Sequence, residues 1–413
     1  MNPVRLGLVG VGGFGANHIR SLQRLRQDQT VELLAVADPA HSRHEEMLAP
    51  LREQGVSCYE DYRDMLDVES ELEAIIICTP IPLHKEMAID GLNRGLFVYL
   101  EKPPVILSSD LQDLISLDIH RRTAVGFIGI SHPVIRASKE GLMQGALGDL
   151  LSIHVAASWP RPSWYYQRSN WAGKLSMGPE PVFDGPATNA LSHYVHLSSF
   201  LANTDAIDHA GLLWLEAELY RARPIESYDT CCLRGKFQND VDFRIALTHA
   251  CRHRSNVEIR LIGTKGDASI SIDRTTVHST LAAPCSENPV VLDVNLRNFA
   301  QAMRSGVRFL TTLEDCVPFL DIVGAMWPSS GGIHTIPAPH VTTWTEEPNT
   351  IFHIADIESA LTRVLEGKTF AEQGLPWSIR PHRITPGQYS SADLLMALRA
   401  HTAPPSLMAS VAA

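Results

Sequence analysis

The stretch "VRLGLVGVGGFGANHIRSLQRL", residues 4–25, decides the fold of the first part of the chain. An apolar run is followed by a glycine cluster, and apolar residues then recur at helical spacing. Gly10, Gly12 and Gly15 form the pattern G-x-G-x-x-G. Such glycines allow a tight turn, close approach of backbone to a pyrophosphate, and close packing of helix on strand. The stretch therefore predicts a dinucleotide-binding loop. A plain glycine-rich turn is less favoured, because the strand–turn–helix context is present.

An acidic residue ends the second predicted strand, "VELLAVADP", residues 31–39. This residue, Asp38, follows the glycine pattern by about 20 residues, the spacing of ribose-binding carboxylates in such domains. A carboxylate accepts hydrogen bonds from the adenosine ribose hydroxyls and repels a 2′-phosphate. The predicted cofactor is therefore NAD, with NADP less favoured. The loop residues Gly13 and Phe14 are predicted to contact it as well.

Three more short apolar segments follow, each separated from the next by a helical pattern: "EAIIICTP" at 73–80, "LFVYLEKPP" at 96–104 and "TAVGFIG" at 123–129. Apolar strands between helices form a parallel sheet that is covered on both faces. With right-handed crossovers, the predicted class is α/β, with a doubly wound Rossmann domain over residues 1–127.

The pattern changes near residue 150. "LLSIHVAASW", "VDFRIALTHA" and "NVEIRLIG" are strand-like and are separated by turns rather than helices. Consecutive strands without crossovers predict a second α/β domain over residues 128–395, with a large, open, mostly antiparallel sheet. A late amphipathic stretch, residues 352–374, is predicted to be helical and could pack back on the first domain. Residues 402–413, rich in Ala, Pro and Ser, are predicted to form a disordered tail.

Composition excludes several classes of protein. The 413 residues carry a formal net charge of −11, and no basic run is longer than "RHR" at 252–254. A nucleic-acid or membrane partner is therefore not expected. No apolar run reaches the roughly 20 residues of a transmembrane helix. Seven cysteines without a C-x-x-C pair favour a reducing compartment, so we expect a cytoplasmic protein.

Polar residues stand at the predicted strand ends, where ligands of open α/β sheets bind. Thr79, Pro80, His84 and Glu101 are predicted cofactor contacts. For His84, a hydrogen-bonding role at a helix start explains the residue equally well. Lys102 is seldom a plain surface residue in such a position. It is predicted to contact cofactor and substrate and to polarise a substrate oxygen; a buried ion pair with Glu101 or another carboxylate is the alternative.

A polar stripe lies in "FDGPATNALSHYVHLSSFL", residues 183–201. We expect one helix after a Pro–Ala–Thr turn, with Asn189, His193 and His196 on one face. Histidine suits general-base work near neutral pH. Two alternatives stay open: a metal site completed by Asp184, and a core cluster in which the histidines only bond their neighbours. No metal is predicted, because the spacing matches no recognised metal motif.

The loop "SWPRPSWYYQRSNWAG", residues 158–173, combines aromatic and arginine residues. Trp and Tyr faces stack on sugar rings, and Arg and Asn donate hydrogen bonds to hydroxyls or carboxylates. Tyr166, Arg168, Asn170 and Trp171 are the predicted substrate-binding residues. A loop packed at a dimer interface or against the first domain is the alternative.

Taken together, "GVGGFGANH", "ICTPIPLHKEMAIDGLNRGLFVYLEKP" and "AVGFIG" resemble the glucose–fructose oxidoreductase, inositol dehydrogenase and MocA family (Gfo/Idh/MocA). "GALGDLLSIHV", "DGPATNALSHYVH" and "IRLIGTKGDA" resemble the second domain of that family, so the resemblance covers roughly residues 4–380. It implies a Rossmann domain followed by an α/β domain with an open sheet. It also implies hydride transfer between NAD or NADP and sugars or polyols, and a homodimer or homotetramer.

The resemblance also implies residue roles. The lysine of the E-K-P motif, Lys102, cooperates in the family with a D-x-x-x-H-x-x-D motif, in which His193 is the base. Asn189 and His196 then stand where relatives carry acids, so Asn189 orients substrate but does not titrate, and Asp184 is a separate acidic group near the pocket. Two other functions stay open: a glycoside hydrolase or lyase that retains NAD and oxidises its substrate transiently, and a non-catalytic nucleotide-binding protein.

Overall fold

The computed structural model describes residues 2–274, 276–285 and 288–401, so the predicted tail at 402–413 lies outside the described residues. The chain divides into two compact units. Unit 1 holds the residues up to Val105, Ser109–His132 and Pro289–Cys316. Unit 2 holds Ile106–Ser108, Pro133–Asn288 and the residues from Val317 onwards. Unit 1 thus extends beyond the predicted boundary at residue 127 and includes a segment from late in the chain.

A parallel sheet forms the centre of unit 1. In the described residues it has six strands, ordered β3-β2-β1-β4-β5-β6, and every neighbouring pair is parallel. This is the order of a doubly wound dinucleotide-binding fold, and it confirms the predicted class. The strands are β1 Val4–Val9, β2 Val31–Ala37, β3 Ser57–Tyr59, β4 Ala74–Ile77, β5 Phe97–Leu100 and β6 Thr123–Val125.

Helices connect these strands, and their apolar faces cover the sheet. The first connection shows why: Ile19, Leu22 and Leu25 recur at helical spacing and are all buried. His18 belongs to the same buried stripe. The helices are α1 Gly15–Gln27, α2 Glu45–Glu53, α3 Tyr62–Val68, α4 His84–Asn93 and α5 Ser108–Leu117.

Unit 2 is built on a larger mixed sheet, ordered β15-β14-β13-β7-β12-β11-β10-β16 over the described residues. Of its seven neighbouring pairs, only β12–β7 and β10–β16 are parallel, so the predicted mostly antiparallel sheet is confirmed. Its strands are β7 Leu150–Ser158, β10 Leu212–Arg221, β11 Thr230–Phe237, β12 Asp242–Thr248, β13 Val257–Gly263, β14 Gly266–Ile272, β15 Val277–Ser279 and β16 His334–Thr335. Two small antiparallel pairs are β8 Ser176–Met177 with β9 Glu180–Pro181, and β17 Val341–Glu346 with β18 Asn349–Ile354.

Most of the remaining helices belong to unit 2. They are α6 Pro133–Met143, α7 Ser163–Gln167, α8 Ser192–Ala202, α9 Val291–Ser305, α10 Val317–Ser330, α11 Ile357–Leu365 and α12 Ser391–Ala400. Helix α9 is the exception, because it lies in unit 1. Among the helices of the described chain, none has the length and apolar character needed to cross a membrane.

The late amphipathic stretch includes α11, which belongs to unit 2, and its packing on the first domain stays a prediction. Ile357, Leu361 and Val364 of α11 are buried in a cluster with β7 and β12 of unit 2. The helix that returns to unit 1 is α9, whose Leu296 and Phe299 pack in the same core as α1 and the sheet. Both helices are amphipathic, so the sequence pattern alone does not select the sheet on which each one packs.

The predicted single helix over the polar stripe is wrong. Helix α8 begins only at Ser192, and residues 185–191 form turns. The Asn189 amide donates to the Gly185 carbonyl (2.9 Å), and the Leu191 amide donates to the Pro186 carbonyl (2.8 Å). Asn189 therefore precedes the helix that carries His193, and the expected common helical face does not exist.

Candidate functional site

The glycine pattern in unit 1 has a steric cause that can be read from the backbone. Gly10 has φ +87°, and a Cβ placed on it would lie 2.4 Å from the Cys78 carbonyl oxygen at the end of β4. A Cβ on Gly15 would lie 2.2 Å from the Gly10 carbonyl oxygen. Gly13 has φ +53°. The loop therefore requires glycine at these positions, and its tight course ends where α1 begins.

Asp38 is held against the glycine loop. One carboxylate oxygen accepts a hydrogen bond from the Val11 amide (3.0 Å), and the other accepts one from the Ala40 amide (2.8 Å). The side chain is half-buried. Each carboxylate oxygen keeps further acceptor capacity for a ribose hydroxyl. A glycine loop at a helix N-terminus and a fixed carboxylate beside it fit the adenosine and pyrophosphate parts of a dinucleotide.

His84 connects the loops that follow β4 and β5. Its Nε2 lies 2.9 Å from the Thr79 carbonyl oxygen, and its Nδ1 lies 3.0 Å from the Pro103 carbonyl oxygen. The side chain is buried, and burial lowers its pKa. Both ring nitrogens thus face backbone carbonyls, which favours the helix-start role over a direct hydrogen bond from His84 to the cofactor. Thr79, Pro80 and Phe14 stay predicted cofactor contacts; Phe14 caps α1 and its ring is largely exposed.

A buried pair lies directly behind these loops. His18 Nε2 on α1 is 2.8 Å from Glu101 Oε1 at the end of β5, and both side chains are buried. The other carboxylate oxygen of Glu101 accepts a hydrogen bond from the Lys102 backbone amide (3.1 Å). A Cβ on Gly126 would lie 3.0 Å from Glu101 Oε1. Glu101 therefore points into the packed interior of unit 1, where it links the dinucleotide helix to the backbone of Lys102.

Lys102 follows the carboxyl end of β5 and is half-buried. Burial and the Glu101 carboxylate raise the pKa of the Cys78 thiol at the end of β4, and the Lys102 ammonium acts in the opposite direction. The charge of Lys102, at the end of β5, thus also acts on Cys78 at the end of the adjacent strand β4. Ligands of this fold bind at this edge of the sheet.

In unit 2, Asp184 organises the turn before α8. Asn189 Nδ2 donates to one carboxylate oxygen (2.6 Å), and the Gly173 amide donates to the other (2.7 Å). Asp184 is buried. The structure therefore brings Asp184 and Asn189 together and ties both to the end of the aromatic loop.

The two histidines of α8 differ in environment. His193 is half-buried, in the first turn of the helix. His196 is buried, and its ring lies 4.2 Å from the His209 ring. Burial and the adjacent His209 hold the pKa of His196 well below its usual value, so His196 is neutral. This environment favours a structural role for His196 and leaves His193 as the accessible candidate base.

The four predicted substrate-binding residues of the aromatic loop differ in solvent exposure and in their contacts. The Arg168 guanidinium is exposed and lies 3.6 Å from the centre of the Tyr165 ring and 5.0 Å from that of Trp171. The Tyr166 ring lies 4.5 Å from the Arg223 guanidinium, and burial raises the pKa of its hydroxyl. Asn170 is exposed. The loop thus presents Arg168 and Asn170 to solvent while Tyr166 lies deeper.

Sequence reasoning missed His18. A signal was present, because His18 occupies the buried stripe of an otherwise apolar helix face, three residues after Gly15. Lys102 and His193 lie in different units, and their cooperation stays a prediction. Among the described residues, no three His, Cys, Asp or Glu side chains are grouped so as to hold a metal ion. All seven cysteines are free thiols.

Comparisons with known proteins agree with this geometry. Residues 4–126 match a family described as an oxidoreductase family with an NAD-binding Rossmann fold, and residues 135–269 match the C-terminal domain of the same family. An inositol 2-dehydrogenase from Streptomyces avermitilis is 35% identical over 152 residues, which cover 36% of this chain and 43% of the relative. The rhizopine catabolism protein MocA from Rhizobium meliloti is 31% identical over 158 residues, covering 37% and 46%. The chain thus matches less than half the length of each of these relatives.

The fold is shared with a WlbA dehydrogenase from Bordetella pertussis, solved in complex with NADH and UDP-GlcNAcA. The TM-score is 0.68 at 21% identity, with 80% of this chain and 96% of that chain covered. The chain matches both domains of one family, and the two matches follow one another in the same order as the two units. The chain belongs to the Gfo/Idh/MocA oxidoreductase family, with an NAD-binding Rossmann fold at its N-terminus.

Proposed function

We propose that the protein is an NAD-dependent oxidoreductase that transfers a hydride between nicotinamide and a secondary hydroxyl or carbonyl of a sugar, sugar derivative or polyol. The observation that carries the proposal is the position of Lys102. It follows the carboxyl end of β5, and its backbone is bonded through the Glu101 carboxylate to His18 on the dinucleotide helix. A cationic residue whose backbone is tied to the cofactor-binding framework suits a group that holds a reacting oxygen.

Within unit 1, the glycine loop and Asp38 would hold NAD, which supplies a hydride acceptor when bound. Asp38 favours NAD over NADP, because its carboxylate is fixed by the Val11 and Ala40 amides beside the ribose position and would repel a 2′-phosphate. Lys102 is proposed to donate a hydrogen bond to the substrate oxygen and to stabilise negative charge on it as its proton leaves.

Within unit 2, His193 is proposed to take the hydroxyl proton as general base. Asn189 is proposed to orient substrate through its amide, which is itself held by Asp184. Asp184 then acts by positioning Asn189 rather than as the base, because both of its oxygens already accept hydrogen bonds. Tyr166, Arg168, Asn170 and Trp171 are proposed to bind the polyhydroxylated substrate.

The substrate class is supported by the names of the relatives. Inositol 2-dehydrogenases and MocA are among the matches in sequence, and a protein of the same fold was solved with a nucleotide sugar. Trp and Tyr side chains in the loop after β7 are the residue types that stack on sugar rings.

The test is a panel of sugars, sugar derivatives, inositols and glycosides incubated with NAD or NADP, with formation of reduced cofactor followed by absorbance at equilibrium and with time. The proposal expects NADH formation with at least one polyhydroxylated substrate, and a preference for NAD over NADP. Cleavage of a glycoside without accumulation of NADH would favour the NAD-retaining hydrolase or lyase instead. Binding of NAD without turnover of any substrate would favour a non-catalytic binding protein.

A further inference from the structure

Six side chains of unit 2 form a continuous stack in which guanidinium groups alternate with aromatic rings. We call it the arginine ladder. The distances from guanidinium carbon to ring centre are 3.8 Å for Arg254 on Trp159, 5.9 Å for Arg161 on Trp159, 4.3 Å for Arg161 on Tyr165, 3.6 Å for Arg168 on Tyr165 and 5.0 Å for Arg168 on Trp171. The ladder thus brings three positive charges together in one stack with the rings of the aromatic loop.

The arginines of the ladder are not neutralised by carboxylates. In the described part of the chain, no acidic oxygen lies within 4.0 Å of a guanidinium nitrogen of Arg161, Arg168 or Arg254, whereas thirteen other arginines form such ion pairs. Acidic residues are not scarce, since the chain has 46 of them against 35 Lys and Arg. Three neighbouring guanidinium groups of one stack thus carry positive charge that no carboxylate within 4.0 Å offsets.

Arg223 provides the contrast within the same region. It also stacks on an aromatic ring, that of Tyr166, but it is buried and paired with Asp229 at 3.3 Å. Its guanidinium further donates to the carbonyls of Arg161 and His249. Arg223 is thus fully used in holding the loop. By comparison, the Nε of Arg161 is buried and has no hydrogen-bond partner among the described residues.

Stacking occupies the faces of a guanidinium and leaves the N–H groups around its edge available for hydrogen bonds. Those groups lie in one plane and match the two oxygens of a carboxylate or phosphate. Arg168 uses one of its nitrogens to donate to the Tyr165 carbonyl, and its side chain remains exposed. Rigid aromatic faces also reduce the conformational entropy that an arginine loses when it binds an anion.

The ladder is adjacent to the proposed substrate residues. Its last ring, Trp171, is two residues from Gly173, whose amide donates to Asp184. Asp184 in turn accepts from Asn189. The charges of Asp184, Arg161 and Arg168 all act on the Tyr165 hydroxyl, which places the carboxylate and both guanidiniums around one ring.

We propose that Arg161 and Arg168 bind an oxyanion carried by the substrate, so that the sugar or polyol is an acidic one bearing a carboxylate or a phosphate. This inference rests on the proposed function for the identity of the substrate, but the anion subsite itself is a property of unit 2. The support for the proposal is the combination of two adjacent guanidiniums stacked on one ring, neither paired with a carboxylate, and the buried Nε of Arg161 that has no hydrogen-bond partner among the described residues.

The experiment is calorimetric titration of the NAD-loaded protein with matched pairs: D-glucuronate against D-glucose, D-galacturonate against D-galactose, and D-glucose 6-phosphate against D-glucose. We expect at least one acidic sugar to bind about tenfold or more tightly than its neutral partner, as one charge-assisted hydrogen-bond pair provides. The carboxylate and phosphate arms distinguish the two sources of the anion.

Variants assign the effect to the ladder. Arg168→Gln, at an exposed position, and Arg161→Gln are each expected to lower the affinity for the acidic sugar about tenfold more than the affinity for its neutral partner. Arg383→Gln is the matched control, because Arg383 also stacks on a tryptophan, Trp214 at 3.8 Å, but is paired with Glu216 at 3.0 Å. It should have no effect.

The inference is overturned if no acidic sugar binds more tightly than its neutral partner. It is also overturned if the Arg168→Gln change weakens both members of a pair equally, or if the control weakens binding as much. Oxidation of a neutral polyol without preference for its acid would leave the proposed function standing and remove this inference. Tight binding of an acidic sugar without NADH formation would leave this inference standing and remove the proposed function.

Discussion

The buried hydrogen bond between His18 and Glu101 allows a quantitative prediction. The donor and acceptor are 2.8 Å apart, and both side chains are almost fully excluded from water. Replacing His18 with Leu keeps an apolar side chain against Phe14 and Tyr99, whose rings lie 5.5 and 5.6 Å from the histidine ring. The change removes the donor and leaves a buried carboxylate oxygen without it. A hydrogen bond to a charged group contributes about 1.5–3 kcal/mol, so His18→Leu should lower the free energy of unfolding by about 2 kcal/mol.

The assay is urea unfolding followed by two signals. Circular dichroism reports both units, whereas all seven tryptophans lie in unit 2, so their fluorescence reports that unit. His18→Leu should lower the dichroism midpoint more than the fluorescence midpoint. His18→Gln is the control, because its side-chain amide can still donate to Glu101, and it should recover much of the loss. A His18→Leu protein as stable as the wild type, or a Gln variant as unstable as the Leu variant, would refute the reasoning.

Three further predictions follow from single contacts. Gly15→Ala should reduce NAD affinity at least about tenfold in a fluorescence titration, because its Cβ would lie 2.2 Å from the Gly10 carbonyl oxygen and displace the loop; unchanged affinity would contradict the proposed fit. Asn189→Asp should place a second carboxylate against Asp184, which lies 2.6 Å from the Asn189 amide nitrogen in the wild type. One of the two acids should then titrate with a raised pKa, and the free energy of unfolding should fall as the pH rises above that pKa. A stability difference that does not depend on pH would count against this. Burial raises the pKa of Glu218 to about 7, from about 4.5 in the unfolded chain. Protonated Glu218 therefore stabilises the folded state at low pH, by about 3 kcal/mol. This stabilisation is lost as the pH rises through 7. Glu218→Gln should therefore flatten the decline of stability between pH 5 and pH 8 in urea unfolding, and an unaltered slope would show that Glu218 does not titrate there.

The parts of the fold that depend on neighbouring residues could be predicted from the sequence. The glycine loop, the carboxylate of Asp38 and the change from parallel to mostly antiparallel strands all follow from local patterns. Positive φ at Gly10 and the contact of Gly15 with the Gly10 carbonyl are the physical basis of the pattern that was recognised.

The features that the sequence did not predict depend on contacts between residues distant in the chain, or on side-chain hydrogen bonds that replace a helix by a turn. Helix α9 lies on unit 1 because Phe299 meets Tyr99, 200 residues earlier, and no local pattern indicates that partner. Asn189 has the spacing of a helical residue, yet its side chain bonds Asp184 and its backbone forms a turn. The periodicity was outweighed there by the local hydrogen bond of the Asn189 side chain to Asp184.

Glu101 shows a different limit. Its position at a strand end suggested a cofactor contact, but the carboxylate is directed at His18 and at the Lys102 amide. A strand end can turn a side chain toward the ligand edge or toward the core, and the sequence does not distinguish the two. The complementary signal was a histidine in the buried face of α1.

The central claim is that Lys102 and His193 carry the proton chemistry of an NAD-dependent oxidation. The most direct measurement compares NADH formation by the wild type, Lys102→Met and His193→Asn on the best substrate of the panel, with NAD affinity measured in parallel. The account predicts that each variant keeps NAD affinity within about threefold and loses a factor of about 10² or more in kcat, as expected on removal of a general base or an electrostatic stabiliser. Turnover close to that of the wild type in either variant, with NAD still bound, would contradict it.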